Sequence, residues 1–336
     1  MGLYTAAHSN SQGAGDVRPT ALQIIQDESL EGKLSEKVIV LTGSTSGIGI
    51  ETARALSATG ATLFLTARDT TKAEKALAGL LNPTRVHLVE MDIASFTSIR
   101  IAAADILTRS HDQVNILVNN AGVMGLKNRE LTEDGHEMHF ATNFLGSFLL
   151  FQLLRPALLA SSRADFNSRV VNVASSAHRA WNLNESDNYK FENGGYNFGV
   201  AYANSKLASI YMANEIDRRY GGLGLHATSL HPGAINTNLS RHVGREFVEQ
   251  IMSDENIVRV LKSPEQGAAT TVFAAVGKEW EGKGGKYLED CEEAKRGLDD
   301  NDTFGVGYVR HTYDLDNEKR LWKDSLRLVG MGYETE

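Results

Sequence analysis

From about residue 20 onward, short runs of consecutive apolar residues alternate with longer stretches of helical periodicity. The apolar runs predict strands at 37–42, 62–67, 85–92, 115–119, 169–175 and 225–230, and the stretches between them predict helices at 49–58, 70–80, 96–109, 144–159 and 202–219. The strand runs contain few polar breaks, as is typical of strands covered on both faces. Strands that alternate with helices in this way build βαβ units. The pattern predicts one doubly wound α/β domain with a mostly parallel sheet and helices on both faces.

The two ends of the chain and one internal segment differ from this pattern. Residues 285–291 predict a seventh strand, and 317–329 a closing helix. Residues 1–19 are rich in Gly, Ser, Ala and Asn with little apolar content, so we predict a disordered leader before a single domain at 20–330. Residues 238–263 carry apolar residues at helical spacing. We interpret them as a lid over the substrate, the alternative being a helix packed on the core.

Composition excludes several classes of function. The 336 residues include 42 acidic and 34 basic side chains, a net charge of −8, which argues against nucleic-acid binding and against docking on anionic membranes. Cys291 is the only cysteine, and the ten histidines form no zinc-binding motif, so we expect no disulfide and no metal. The most apolar stretch, 140–154, is shorter than the roughly twenty residues that span a bilayer. We expect a cytoplasmic protein without a membrane span.

The first predicted strand runs into a glycine-rich turn before a helix. Gly43, Gly47 and Gly49 lie in this turn, with Ser46 and Ile48 between them. Glycine permits positive φ and close backbone approach, and the free N–H groups of a first helical turn suit a pyrophosphate. The turn therefore predicts a dinucleotide cradle. The strict G-x-G-x-x-G pattern is absent, and a tight strand-to-helix connection is the alternative interpretation.

Three motifs in order resemble the short-chain dehydrogenase/reductase family. The turn at 42–49 reads T-G-x-x-x-G-x-G, residues 119–122 read N-N-A-G, and Tyr202 and Lys206 form a Tyr-x-x-x-Lys pair. The resemblance covers about residues 20–329 and implies a Rossmann-type fold with a nicotinamide cofactor. A segment at 181–198 lengthens the distance between Ser175 and Tyr202. Together with 135–146, it makes the chain similar to the retinol dehydrogenase-like and WW-domain oxidoreductase-like branch.

The segment at 181–198 is rich in aromatic residues, which either line a pocket for a bulky apolar substrate or belong to a plain surface loop. Relatives often dimerise through the helices that bear Asn143 and Tyr202, so a homodimer is one option for this chain.

The end of the second strand bears on the choice of cofactor. Ala67 stands where an NAD site usually has a carboxylate, and Arg68 follows it, so NADP is preferred over NAD. The alternative is that Arg68 only pairs with Asp69 or another surface carboxylate. The resemblance implies further cofactor contacts: Asp92 to the adenine amino group, Asn120, Ala121 and Gly122 beside the adenosine ribose, and Pro232, Gly233, Ile235 and Thr237 around the carboxamide and pyrophosphate.

The Tyr202–Lys206 spacing has a chemical reason. Positions i and i+4 share one helix face, and a tyrosinate near neutral pH needs its pKa lowered by about 3 units, roughly 4 kcal/mol. We therefore expect the Lys206 ammonium to favour the Tyr202 phenolate. The resemblance gives Ser175 the role of bonding the substrate oxygen, with Ser176 as the alternative. It gives Asn143 the role of holding a water that links the lysine to solvent.

These residues predict an NADP-dependent oxidoreductase that interconverts a ketone or aldehyde and an alcohol on a medium-to-bulky apolar substrate. Asn143, Ser175, Tyr202 and Lys206 would carry the catalysis. Two alternatives stay open: a noncatalytic NADP(H)-binding sensor or scaffold of the same fold, and an epimerase or dehydratase that oxidises its substrate transiently. The expected partner is a small molecule.

Overall fold

The computed structural model describes residues 4–237, 239 and 253–332. Within them, one sheet of eight strands has the order β3-β2-β1-β4-β5-β6-β7-β8, and every pairing is parallel except β7 with β8. The doubly wound α/β fold is confirmed. The strands are β1 (Val38–Thr42), β2 (Thr62–Ala67), β3 (Val86–Glu90), β4 (Ile116–Asn119), β5 (Ser168–Val173), β6 (Leu225–His231), β7 (Lys286–Glu289) and β8 (Glu292–Glu293).

The eighth strand corrects the expected count of seven. After β7 the chain reverses at Asp290 and Cys291, both with positive φ, and β8 pairs antiparallel with β7. β8 consists of two glutamates at the edge of the sheet. A two-residue polar strand has no apolar run, so hydrophobic patterning cannot detect it.

Helices cover both faces of the sheet. They are α1 (Thr5–His8), α2 (Ala21–Asp27), α3 (Ile48–Ala58), α4 (Thr70–Ala76), α5 (Phe96–Ser110), α6 (Met138–Phe140), α7 (Gly146–Ser161), α8 (Phe198–Tyr220), α9 (Glu255–Val260), α10 (Pro264–Gly267), α11 (Ala269–Val276) and α12 (Leu315–Leu328). One apolar cluster joins α5, α7, α8 and α12 on one face, and another joins α2, α3 and α11 on the other.

α8 is the central helix of the first face. Asn197 caps it by accepting hydrogen bonds from the backbone of Gly199 and Val200, so the helix begins one turn earlier than the expected 202. Its residues from Ala201 to Ile216 are all buried. Burial on every side follows because the sheet packs against one side of α8 and α12 packs against another.

α12 also covers α7. The indole of Trp322 packs edge-on against Phe148, with ring centroids 5.0 Å apart, and lies near Phe151 and Tyr220. The outer surfaces of α7 and α8, which a homodimer of the expected kind would use, are therefore covered in part by a helix of the same chain.

Among the described residues, one helical stretch, Met138–Ser161, is long and apolar enough to cross a membrane by length and composition alone. It is longer than the apolar run at 140–154 because it begins two residues earlier and continues to the end of α7. In this fold 72% of its most apolar window is buried, as in the core helix of a packed domain.

The segment expected to be a disordered leader is folded from Tyr4 onward. Tyr4 is buried and packs edge-on against Phe273, and the Arg18 guanidinium is buried against the carbonyl oxygens of Val260 and Leu261. These partners lie more than 240 positions away in the chain. Composition reports only the apolar content of a segment, so it could not reveal stabilisation by remote backbone carbonyls.

Candidate active site

The glycine-rich turn after β1 lies directly against the segment after β4. Gly43 has a φ of 69°, and a Cβ at this position would lie 2.7 Å from the Cα of Ala121. A Cβ on Gly49 would overlap the carbonyl oxygen of Gly43. The turn can therefore close only with glycine at both positions.

Gly47 leaves the backbone N–H groups at the start of α3 without a side-chain cap. It is the N-cap residue, has a φ of 54°, and provides no side-chain cap for the first turn. A Cβ on Gly47 would lie 3.1 Å from the Thr237 methyl group, so the turn and the segment after β6 are neighbours. Backbone N–H groups at an uncapped helix start form a site for a phosphate group.

Thr42 and Asn120 join the two segments. The Thr42 hydroxyl accepts hydrogen bonds from the backbone N–H groups of Asn120 and Ala121, each at 3.0 Å, and Asn120 Nδ2 donates to Gly43 O at 2.9 Å. Asn120 Oδ1 is buried and accepts no hydrogen bond from any residue that the structure describes. An open acceptor beside a glycine cradle fits a dinucleotide that carries hydrogen-bond donors.

Arg68 and Asp92 face each other at the ends of β2 and β3. Arg68 Nη1 lies 4.0 Å from Asp92 Oδ2, and the Arg68 side chain is 77% exposed. Asp69 instead caps α4 by accepting from the backbone N–H of Lys72. Of the alternatives weighed from the sequence, pairing with Asp69 is therefore wrong, while a loose contact with a surface carboxylate is present.

Tyr202 and Lys206 lie on the same face of α8. The Lys206 Nζ is 5.7 Å from the centroid of the Tyr202 ring and donates to the carbonyl oxygen of Val173 at 2.8 Å. The Ser175 side chain, which follows β5, lies close enough to the Tyr202 phenol to lower its pKa. The structure thus brings together three of the four predicted catalytic side chains at the carboxyl end of the sheet.

The pKa values differ from the expectation. Burial raises the pKa of the Tyr202 phenol to about 12, and the neighbouring Ser175 side chain opposes that rise. Burial lowers the pKa of Lys206 to about 8. In this state the ammonium donates to the carbonyl oxygen of Val173, and the buried Tyr202 carries its proton near neutral pH.

Asn143 lies in a π-helical turn, Ala141–Leu145, between α6 and α7. Its Oδ1 accepts from Val123 N at 2.7 Å, and its Nδ2 donates to Val123 O at 3.0 Å and to Ser205 Oγ at 2.8 Å. Ser205 in turn donates to the Tyr202 carbonyl. A π-turn inside a helix is frequent at functional sites, and here it places Asn143 against the helix that bears Tyr202.

The comparisons with known proteins agree with this geometry. The sequence profile described as short chain dehydrogenase matches residues 37–247. The chain belongs to the short-chain dehydrogenase/reductase family. It is therefore an oxidoreductase by family, and members of this family bind a nicotinamide cofactor.

Individual relatives show which members of the family this chain is similar to. The short-chain dehydrogenase/reductase prx1 of Penicillium roqueforti is 48% identical over 98% of this chain and 96% of its own length. Human retinol dehydrogenase 13 is 35% identical over 88% of this chain and 85% of its own length, so the chain is retinol dehydrogenase-like. A solved structure of a putative uncharacterized protein from Mycobacterium paratuberculosis superposes with a TM-score of 0.69 at 28% identity, covering 95% of this chain and all of that one.

In this short-chain dehydrogenase/reductase, the segment at 181–198 is anchored at several points. The carboxylate of Asp324 on α12 accepts hydrogen bonds from the hydroxyls of Ser186 and Tyr189, and Tyr189 stacks on Phe140 with centroids 4.9 Å apart. Trp181 and Phe198, by contrast, are 41% and 37% exposed. They flank the first turn of α8, since a Cβ on Gly199 would lie 3.6 Å from the Trp181 ring.

Two site residues escaped the sequence reasoning. His231 ends β6, and its Nδ1 accepts from the backbone N–H of Ser176, while burial lowers its pKa to about 4. Lys262 lies over Gly233, where a Cβ would lie 2.7 Å from Lys262 Cδ. His231 was visible as the residue before Pro232, but no local motif marks Lys262. Of the lid expected at 238–263, residues 238 and 240–252 lie outside the described residues, and the described part includes α9.

We predict that Gly49→Ala weakens cofactor binding at least tenfold and destabilises the fold by about 1–3 kcal/mol, because the new methyl group would force the turn away from Gly43. Thermal melting with and without NADPH measures both effects. Gly222→Ala is the control, since nothing lies within 4 Å of a Cβ there. A variant Gly49→Ala with an unchanged NADPH-induced shift would contradict the cradle.

Proposed function

We propose that this protein is an NADP-dependent carbonyl reductase that also runs in the alcohol-oxidising direction. The observation that carries the proposal is the shared face of α8: a buried Tyr202 phenol beside Ser175, and a buried Lys206 one turn further along. The glycine cradle at the same edge of the sheet supports the placement of a dinucleotide beside them.

Tyr202 is the proton donor in reduction. Its pKa of about 12 keeps the phenol protonated near neutral pH, which is the form that a general acid needs. When bound, the nicotinamide supplies the reducing equivalents that convert the carbonyl carbon to that of an alcohol. The phenol then gives its proton to the developing alkoxide oxygen.

Ser175 steadies the same oxygen. Its side chain lies beside the Tyr202 phenol, so both groups can reach one substrate atom. Ser176 is the weaker candidate because its side chain is buried and its backbone N–H bonds with His231. Ser175 accepts a hydrogen bond from Ala177 N at 3.2 Å, which orients its hydroxyl at the start of the 3-10 turn.

Lys206 and Asn143 return a proton to Tyr202 after it has donated its own. The charged Lys206 stabilises the phenolate that Tyr202 becomes after donation, and at a pKa of about 8 it also exchanges protons readily near neutrality. Asn143 is linked to this helix through Ser205, and an Asn143-held water would connect Lys206 to solvent. The Gly122 position supports this connection, because a Cβ there would approach both Asn143 Oδ1 and Lys206 Nζ.

Arg68 is the residue that selects NADP. It is exposed, positioned beside Asp92 and free of Asp69, so its guanidinium can turn to a 2′-phosphate. A carboxylate at the end of β2 would favour the free ribose 2′-hydroxyl of NAD, but this chain has Ala67 at that position. The remaining cofactor contacts are those of the cradle, of Asp92 and of 232–237.

The substrate is a medium-to-bulky apolar carbonyl compound or alcohol. Trp181 and Phe198 expose aromatic surface at the first turn of α8, one turn before Tyr202. Exposed aromatic side chains beside a reacting group favour an apolar ligand. The name of the human relative, a retinol dehydrogenase, is that of a protein acting on such an alcohol.

We predict that Tyr202→Phe abolishes NADPH-dependent carbonyl reduction, lowering kcat at least a thousandfold, while NADPH affinity changes less than threefold. The reason is that only the acidic proton is lost. A panel of aromatic, steroidal and retinoid carbonyls tests this by NADPH oxidation, and fluorescence titration reports affinity. Tyr211→Phe on the same helix is the control, since its hydroxyl bonds only a backbone carbonyl, that of His311. Wild-type protein that binds NADPH but reduces nothing would support the sensor or scaffold alternative.

We predict that kcat/KM for the cofactor in the reductive direction falls with pH above about 8. Burial lowers the pKa of Lys206 to about 8, so the ammonium is present below that pH and lost above it. The profile of kcat/KM reports groups of the free enzyme. Lys206→Arg should move the alkaline limb to higher pH in its residual activity, because a guanidinium stays charged. A flat wild-type profile up to pH 10 would exclude this role.

We predict that Arg68→Ala raises the KM for NADPH about tenfold to a hundredfold and leaves that for NADH nearly unchanged, since a charge-assisted contact is worth roughly 1.5–3 kcal/mol. Steady-state kinetics with both cofactors provides the test. Lys75→Ala, an exposed cation on the neighbouring α4, is the control. An equal loss with both cofactors would show that Arg68 does not read the 2′-phosphate.

A further inference from the structure

The first residues of the chain are fastened to the segment that precedes α10. We call residues 4–18 the N-terminal strap. Arg18 is its most buried charged residue, 4% exposed. Its guanidinium donates to Val260 O at 2.9 Å, to Leu261 O at 2.6 Å and to Gly13 O at 2.9 Å, and it pairs with Asp16 at 2.8 Å.

A second set of hydrogen bonds, next to those of Arg18, also joins the strap to residues 259–266. The backbone N–H of Gly13 donates to Arg259 O at 2.8 Å. The Gln266 side-chain amide accepts from Gly15 N and donates to the carbonyl oxygens of Asp16 and Arg18. Because most partners are backbone groups, the strap fixes the path of the chain over 259–266 and not only the position of single side chains.

The start of the strap contacts a third part of the chain, the turn between β7 and β8 and the start of β8. Thr5 donates to Glu292 at 2.6 Å, and His8 Nε2 lies 3.8 Å from Asp290 Oδ1. The same carboxylate oxygen accepts from Lys262 Nζ at 2.6 Å. The Lys262 side chain is 3% exposed, and Asp290 joins it to the strap, so the strap, the turn between β7 and β8, and Lys262 form one continuous set of contacts.

What the strap holds lies directly against the proposed cofactor segment. The backbone N–H of Lys262 donates to Ala234 O at 2.8 Å, and the stem of Lys262 packs over Gly233. At the end of α10, a Cβ on Gly267 would lie 2.7 Å from Ile235 and 2.8 Å from Ile48 of the glycine-rich turn. Residues 259–267 are therefore clamped between the strap and two segments of the cradle.

We propose that the N-terminal strap positions the Gly233–Ile235 segment for the cofactor, and that Arg18 is the positioning residue at its centre. This rests on the proposed role of that segment in binding NADP(H). Arg18 contacts neither cofactor nor substrate. It acts by holding Val260 and Leu261, which sets Lys262 and through it Ala234.

The experiment compares Arg18→Ala with Arg85→Ala as a matched control. Arg85 also donates to two backbone carbonyl oxygens, those of Ser57 and Ala61, each at 2.9 Å, but on the β2–β3 side of the sheet. Hydrogen exchange of the cofactor-free protein, followed by mass spectrometry, measures protection over 259–267. Fluorescence titration measures the Kd for NADPH, and thermal melting checks that the two variants lose comparable stability.

For Arg18→Ala we expect exchange over 259–267 at least tenfold faster and a Kd for NADPH about tenfold higher, with kcat at saturating NADPH within twofold of wild type. Arg85→Ala should leave both the exchange and the Kd unchanged. An unchanged Kd in Arg18→Ala overturns the proposal, even if exchange is faster, and so does an equal rise in Arg85→Ala.

Arg18→Lys keeps the result decisive if the alanine variant does not fold. A single ammonium keeps the charge but cannot donate to Val260, Leu261 and Gly13 with the geometry of the guanidinium fork, so intermediate exchange and Kd are expected, and wild-type values would overturn the proposal. The exchange readout does not depend on turnover. A failure of Tyr202→Phe to abolish reduction would therefore count against the proposed function and not against the strap.

Discussion

The joint burial of a phenol and an ammonium on one face of α8 is the constraint on which this site depends. Removing each group from water favours its neutral form, which raises the pKa of Tyr202 to about 12 and lowers that of Lys206 to about 8. The two opposite shifts have one cause, the packing of α8 between the sheet and α12. The two pKa values, which are close together for the free groups, therefore move apart: the phenol keeps its proton near neutral pH, while the ammonium gives up its proton more readily than in water.

The surroundings of α8 keep this burial intact. On one flank, Asn143 is held in a π-turn by both polar groups of Val123 and by Ser205. On the other, the 3-10 turn after Ser175 carries Arg179, a fully buried guanidinium that donates to the carbonyl oxygens of Asp302, Val306 and Gly307 and thereby orders the acidic loop after β8. The end of β5, α8 and the carboxyl-terminal loop therefore stabilise one another, although they are far apart in the chain.

Much of the fold could be predicted because it follows from local patterns. The strand over 62–67 was placed at its observed bounds, and five other strands within a few residues of theirs. The errors have physical causes. β8 has no apolar run, α8 begins a turn early because Asn197 caps it, and the first nineteen residues fold on remote carbonyl oxygens that composition does not report. The pKa of Tyr202 was expected to fall, but burial depends on α12 and the sheet, and no spacing of residues measures it.

The sequence by itself determined the fold class, the family and the identity of the residues that meet at the carboxyl edge of the sheet. These features are local: the strand periodicity, the glycines that permit a close turn, and the i,i+4 spacing of Tyr202 and Lys206. Each depends only on residues close together in the sequence, so it can be recognised from the sequence alone. Only the tertiary structure decided which groups are buried, which carbonyl oxygen the ammonium contacts, and that Arg18 contacts Val260 and Leu261 while Lys262 contacts Gly233 and Ala234. Those outcomes depend on segments separated by hundreds of residues, whose contacts exist only once the chain has folded.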